Sequence, residues 1–275
     1  MPHSRYTTYG WRDFGRHLLV SYDLDPVYVA LRRTQRQGHL DYAHLSRWLV
    51  AYWCLYHCGA ASYIAEHTTE HSFWDMMEVA ARNHNDAPAP TTGRWPRGEE
   101  RRHWRGQQAI NSVRDIASRG KPMELINSLT WNSRRTSFQE LFTACQRWKG
   151  FGPWIAFKMV DMLDRVLNHP VDYSDAHLNM FREPVKAALL IHDAEHQHPD
   201  CPDQVSKVAC IVRAMTQEFS GFKAPPEHDR YVALPEVETI LCKWKSHING
   251  HYPLFNDTDK ITRGLVNWEP HSRLA

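Results

Sequence analysis

The chain has 275 residues, 42% of them hydrophobic, enough to bury a full core as one large domain or two closely packed lobes. No run of about 18 apolar residues occurs, which excludes a helical membrane span, and the start Met1-Pro2-His3-Ser4-Arg5 lacks the apolar stretch of a secretory signal. The net charge of +2 at pH 7 is too small to name a nucleic-acid partner, so the local placement of charge must carry that argument.

Helical periodicity dominates and strand alternation is nearly absent, which predicts an all-α fold. In chain order, Leu45, Trp48, Leu49, Tyr52 and Tyr56 form the first apolar stripe. Cys54, His57 and Cys58 lie in the same Trp/Tyr-rich stretch and read as packing, because a structural zinc needs four ligands. No metal site is predicted. Residues 83–97 are rich in Pro, Thr, Gly and Asn and read as a loop. Ile110, Val113 and Ile116 form a second stripe, which Gly120 ends, and Pro122 opens the next helix through Leu125, Ile126 and Leu129. Phe138, Leu141, Phe142, Cys145 and Trp148 make a third stripe. Pro202 starts a helix carrying Val205, Val208, Ile211, Val212, Met215 and Phe219, closed by Gly221. A Pro-rich charged loop over 221–229 precedes the last long stripe, Val237, Ile240, Leu241, Trp244 and Ile248, which Gly250 ends. No long linker interrupts the chain, so residues 1–275 read as a single compact helical unit with a C-terminal helical extension over about 227–275. The six cysteines are scattered, without CxxC pairs, and read as reduced thiols of a cytoplasmic protein. Eleven tryptophans suit core filling as well as base stacking.

The most specific stretch is Trp148-Lys149-Gly150-Phe151-Gly152-Pro153-Trp154-Ile155-Ala156. An amphipathic helix over 137–148 runs into Gly-Phe-Gly-Pro, and a second apolar helix over 154–167 follows at once. Two glycines allow a tight turn and a close approach to a partner, and Pro153 suits a first helical turn. The exposed amides of such a turn form an anion site, which on DNA means a phosphate. The plain alternative is an αα-hairpin whose glycines only cap helices.

About twenty residues downstream comes Val171-Asp172-Tyr173-Ser174-Asp175-Ala176-His177-Leu178. Together the two stretches resemble the helix-hairpin-helix DNA glycosylase superfamily, where a hairpin of the form hxGhGxxxA precedes an essential aspartate in a D-x-H-like sequence. The resemblance covers roughly 137–185, with the hairpin itself at about 137–167. It implies a glycosylase-like helical fold and puts Asp175 at the catalytic aspartate's position, with His177 at the histidine two beyond. It also implies DNA contacts from Lys149, Gly150, Phe151, Gly152, Pro153, Trp154 and Lys158, and leaves room for a monovalent cation at the hairpin. In bifunctional members a lysine stands two residues after the second hairpin glycine. Trp154 holds that position here, which excludes Schiff-base lyase chemistry through that lysine. Lys158, one turn on, reads as a solvated or phosphate-facing lysine. There is no cysteine cluster for an iron–sulfur site.

Between Arg94 and Gly106 the chain holds five arginines in twelve residues. If helical from Pro96, this segment puts Arg97, Arg101 and Arg105 on one face, a stripe able to clamp phosphates, against the alternative of a solvated face paired with Glu99 and Glu100. With the Trp-rich stretch Trp48–Gly59 and the segment Glu238–His247, Arg97–Gly106 resembles a smaller group. These are the phage-type amino acid:DNA transferases, also called α-glutamyl/putrescinyl thymine pyrophosphorylases.

That resemblance implies a DNA substrate whose thymine methyl carries a phosphate or pyrophosphate, as in phosphorylated 5-hydroxymethyluracil. The group is expelled and an amino acid or amine nitrogen takes its place, in the host cytoplasm if the gene is a phage's. Such a reaction needs base flipping, cationic stabilisation of a leaving phosphate, and a base to deprotonate the incoming ammonium. Arg97, Arg101, Arg102, Arg105, Lys243 and Lys245 are the phosphate candidates, and Asp175 or His177 the base. Cys242 is a further candidate, as a nucleophile adding to pyrimidine C6, although a lone helix cysteine more often packs. Two other readings stay open, a monofunctional DNA glycosylase and a non-catalytic DNA-binding helical module.

Overall fold

The computed structural model describes residues 8–83, 94–131, 135–196, 201–268 and 273–274. It is all-α, as the periodicity predicts. Its helices are α1 (Trp11–Ser21), α2 (Pro26–Arg36), α3 (Tyr42–Leu55), α4 (Cys58–His67), α5 (Phe73–Arg82), α6 (Gly106–Ala117) and α7 (Pro122–Thr130). They continue with α8 (Phe138–Gln146), α9 (Pro153–Arg165), α10 (Arg182–Ile191), α11 (Gln204–Glu218), α12 (Leu234–Ile248) and α13 (Asn256–Val266). The punctuation residues act as expected. Gly120 takes φ +143° ahead of Pro122, the first residue of α7, and Gly250 takes φ +76° just past α12. Among the described residues, strand is limited to β1 (Thr136–Ser137) and β2 (Val171–Asp172), a two-residue parallel ladder. Most of the loop expected over 83–97 lies outside the described residues.

The contacts gather into two compact units, each drawn from separated stretches of chain. The first comprises Met1–Val29, Thr136–Gln139 and Val171–Asp259, the second Ala30–Arg135, Glu140–Pro170 and Lys260–Ala275. The stretch read as a C-terminal extension is thus divided between them after Asp259.

In the first unit α10 packs against α11 and α12, and α1 lies on α12. Phe14 and Leu18 of α1 are fully buried, and Phe14 stacks on His247 with ring centroids 4.6 Å apart. A Cβ on Gly15 would run into the Phe219 ring, so glycine at that position lets α1 reach the end of α11.

The second unit is built on α3, which packs against α4 and α7. Trp48, Leu49 and Trp53 are fully buried there. The Trp48 indole donates to Ser62 Oγ of α4 at 3.0 Å, and that of Trp53 reaches Met162 Sδ of α9 at 3.2 Å. The His57 side chain is the N-cap of α4, its Nδ1 accepting from the Ala60 amide at 3.2 Å. Cys54 and Cys58 beside it are buried. Gly59 in the next turn leaves room for the Trp268 ring, which a Cβ would strike.

Two imidazoles in this unit are held neutral. Burial pushes the pKa of His57 down to about 4, and burial with the nearby Arg273 and Arg47 does the same for His44. Both folded values lie below the value near 6.5 of an unfolded histidine, so protonation favours the unfolded chain. Stability is therefore full above about pH 6.5 and declines as the pH falls toward 4, by about 1.4 kcal/mol per pH unit for each histidine. Urea denaturation between pH 7 and pH 4.5 is expected to show this loss, and His57→Gln, which keeps a cap acceptor, to remove about half of it.

Candidate active site

The Gly-Phe-Gly-Pro turn lies between α8 and α9. After α8 the chain tightens, with the Arg147 amide donating to Ala144 O and the Trp148 amide to Cys145 O, both at 3.2 Å, and that of Phe151 to Trp148 O at 3.0 Å. Trp148 and Phe151 are buried anchors with ring centroids 5.4 Å apart, and Trp148 meets Trp53 edge-on at 6.0 Å. Gly150 takes φ +82°, and a Cβ there would lie 2.8 Å from Ser112 Oγ of α6, so only glycine fits. Of the two hairpin glycines, only Gly150 takes the positive φ. Gly152 is the N-cap of α9 at φ −88°, and a Cβ on it would meet nothing within 4 Å. Among the described residues nothing requires a glycine at 152.

Lys149, Gly152 and Pro153 are exposed, and the amides of Trp154 and Ile155 precede the first main-chain bond of α9, from Ala156 to Gly152 O. Trp154 is half-buried, edge-on to the Tyr56 ring at 4.7 Å. Lys158 does not fit its reading as a solvated lysine. It is 7% exposed, the sixth residue of α9, within the stretch Ile155 to Leu163 that is buried throughout.

The arginine segment is not a helix. It holds one 3-10 turn, Glu99–Arg101, and α6 begins only at Gly106, with Arg105 as its N-cap. The expected stripe of Arg97, Arg101 and Arg105 therefore does not form, because two of the arginines turn inward and bind main chain. Arg97 donates Nε to Trp104 O, Nη1 to Trp95 O and Nη2 to Ala80 O, at 2.6 to 2.7 Å. Arg101 donates Nε to Cys54 O and Nη1 to Gly150 O, both at 3.0 Å. Burial lowers the pKa of each to about 10, and for Arg97 the charges of Arg105 and Arg101 add to the effect. Both remain charged at neutral pH. Arg102 and Arg105 are exposed.

Sequence reasoning missed Asp115 and Ser112 of α6, which brace the same turn. Asp115 Oδ2 accepts from the Lys149 amide at 3.4 Å, and Ser112 backs Gly150. The available signal was a serine flanked by Ile110, Val113 and Ile116 on the buried face of α6.

In the first unit, β2 pairs with β1 in the register Thr136 to Val171 and Ser137 to Asp172. Beyond the ladder, Asp172 Oδ1 accepts from the Ser174 amide at 3.1 Å, and a 3-10 turn, Ala176–Asn179, follows. Ala176 is buried beneath the turn. Asp175 occupies its N-cap position, yet its side chain makes no capping bond and is exposed. His177, in the same turn, is half-buried.

On α12, Cys242 is half-buried. Lys243 does not reach outward. Its ammonium donates to Asp23 O and Leu24 O, each at 2.6 Å, and pairs with Asp257 at 2.8 Å, so all three N–H groups are engaged. Lys245 pairs with Glu183 of α10 at 2.7 Å.

A family profile described as amino acid:DNA transferase matches residues 20–252, which include the hairpin, Asp175 and α12. The chain belongs to the amino acid:DNA transferase family. It is 43% identical over 279 residues to a glycinyltransferase of Pseudomonas phage PaMx11, covering 96% of this chain and 92% of that protein. It is also 26% identical over 265 residues to a putrescinyltransferase of Delftia phage PhiW-14, covering 94% of this chain and 79% of the relative. As a member of this family the chain is a transferase that acts in amino acid transfer to DNA. Among its described residues no helix is long and apolar enough to cross a membrane.

The two hairpin glycines are expected to separate in the laboratory. Gly150→Ala forces a left-handed conformation on alanine and crowds Ser112, and should lower stability by about 1–3 kcal/mol. Gly152→Ala should melt like the wild type. Gly152→Asp should also fold but lose DNA affinity at least tenfold in a gel-shift titration, since a carboxylate would stand at the anion-binding end of α9.

Proposed function

We propose that this transferase acts on DNA in which the methylene of 5-hydroxymethyluracil carries a phosphate or pyrophosphate, and joins the amino group of glycine to that carbon. The 43% identity to a glycinyltransferase along almost the whole chain carries the choice of glycine. The reaction balances simply. The C–O bond to the leaving phosphate breaks, a C–N bond forms, and the ammonium gives up a proton before its nitrogen attacks.

The hairpin supplies the DNA anchor in this reading. Its exposed Lys149, Gly152 and Pro153, with the leading amides of α9, suit a backbone phosphate, and the resemblance to the glycosylases implies a flipped base. Asp175 takes the proton. The absence of a capping bond to its carboxylate supports this role, because the competing explanation for an aspartate at a helix start is the cap itself. Arg102 and Arg105 are the exposed cations assigned to the leaving phosphate, whereas Arg97, Arg101 and Lys243 turn inward onto main-chain oxygens of the core. His177 and Cys242 remain half-buried reserves for the base and for pyrimidine activation.

Incubating duplex DNA that carries 5-phosphomethyluracil with glycine should release inorganic phosphate and leave a base heavier than 5-hydroxymethyluracil by a glycine residue, read by mass spectrometry of the nucleosides. Abasic sites in its place would identify a glycosylase, and binding without either product a non-catalytic module. Asp175→Asn should slow the transfer by a factor of about 10² to 10⁴ with DNA affinity unchanged. Its melting temperature should also hold, since no cap is lost.

A further inference from the structure

Arg101 was expected at a phosphate, but its surroundings fit a different task. Arg101 is 7% exposed, and its guanidinium links two main-chain carbonyls from separate elements, Cys54 O at the end of α3 and Gly150 O in the hairpin turn, each at 3.0 Å. It lies over the Phe151 ring at 4.8 Å from its centroid and over the Trp104 ring at 5.4 Å. Buried arginines ordinarily pair with a carboxylate, since an uncompensated buried charge is costly. Among the described residues Arg101 has no ion pair, and its Nη2, together with the Trp104 indole N–H, is buried without a hydrogen-bond partner. The same indole nitrogen lies 3.5 Å from where a Gly150 Cβ would be. The turn is therefore backed by a fixed positive charge.

We infer that Arg101 is a positioning residue of the DNA-binding hairpin. It holds the Gly150 carbonyl so that the exposed Gly152–Pro153 corner opening α9 faces a DNA phosphate, and touches no phosphate itself. This rests on the reading of the hairpin as the DNA anchor. Arg97 serves as the internal comparison, since it too binds main-chain carbonyls in the same loop but bonds nothing in the turn.

The fork geometry decides the test. Lysine keeps the charge but cannot join two carbonyls through a rigid plane, so a residue that acts by geometry is not rescued by lysine, while a direct phosphate contact largely is. Full-length wild type, Arg101→Lys, Arg101→Met, Arg97→Met and Gly152→Asp would be compared for binding to a fluorescent DNA duplex, for melting temperature and for amide hydrogen exchange across residues 148–155. Arg101→Lys and Arg101→Met are expected to lose at least tenfold in affinity and to exchange at least tenfold faster across the turn, with α6 keeping its protection. Arg97→Met should melt earlier yet bind DNA within about twofold of the wild type. Near-wild-type binding by Arg101→Lys, unchanged exchange across the turn, or an equal affinity loss in Arg97→Met would each overturn the inference. If Gly152→Asp also keeps full affinity, the hairpin anchor itself falls and the inference with it. If Gly152→Asp loses affinity while Arg101→Lys does not, only the role of Arg101 is refuted.

Discussion

A guanidinium taken out of water must find acceptors, and when carboxylates are lacking it takes them from the main chain. Arg97 and Arg101 do so, and the shape of the second unit around the hairpin follows from their choices. Arg97 draws the carbonyls of Ala80, Trp95 and Trp104 together, which bends the segment between α5 and α6 back on itself. Arg101 then joins that segment to the end of α3 and to the glycine turn. The segment itself makes only one 3-10 turn before α6 begins. The aromatic shell of Trp53, Trp104, Trp148 and Phe151 shields these bonds from water and strengthens them.

The same arrangement divides the arginines by function. Five guanidinium groups in a short segment suggest one charged surface, yet the fold sorts them by depth. Those that turn inward fix geometry. Arg102 and Arg105 stay in solvent, where Arg102 donates locally to His103 Nε2 at 3.0 Å and Glu99 O at 3.4 Å. In the first unit the lysines of α12 divide likewise, Lys243 into a cage of two carbonyls and a carboxylate, Lys245 into an ion pair on the surface of α10.

How legible was this in the sequence? Apolar periodicity found α3, α6 to α9, α11 and α12, because each has a stripe on one face, and glycine and proline marked several of their ends. The hairpin turn was legible because few residue types can occupy it. The direction of a long cationic side chain was not, since Arg97 looks the same in a sequence whether it faces water or a carbonyl of a distant helix. Periodicity also misled at 96–105, where charge spacing fits a helix but the competing main-chain acceptors come from elsewhere in the chain. Lys158 failed for the opposite reason, an apolar environment that a local window around one charged residue underweights. The choice of φ between the two hairpin glycines depended on Ser112, nearly forty residues away. Asp175 was found through the spacing of a motif, and only the three-dimensional turn showed that its carboxylate makes no cap.

The interleaving of the two units has a consequence for how the protein is made. The first unit needs Val171–Asp259 to join a segment from the start of the chain, and the second needs Lys260–Ala275, with Trp268 seated on Gly59, to complete a core begun far earlier. A nascent chain emerging from the ribosome can form α3 to α7 early, but it cannot close either core until nearly all of it has been synthesised. Long intervening loops must be ordered late, and apolar helix faces stay uncovered meanwhile. Ribosome-bound fragments ending before residue 260 should therefore leave the second unit protease-sensitive even where the first has all its segments.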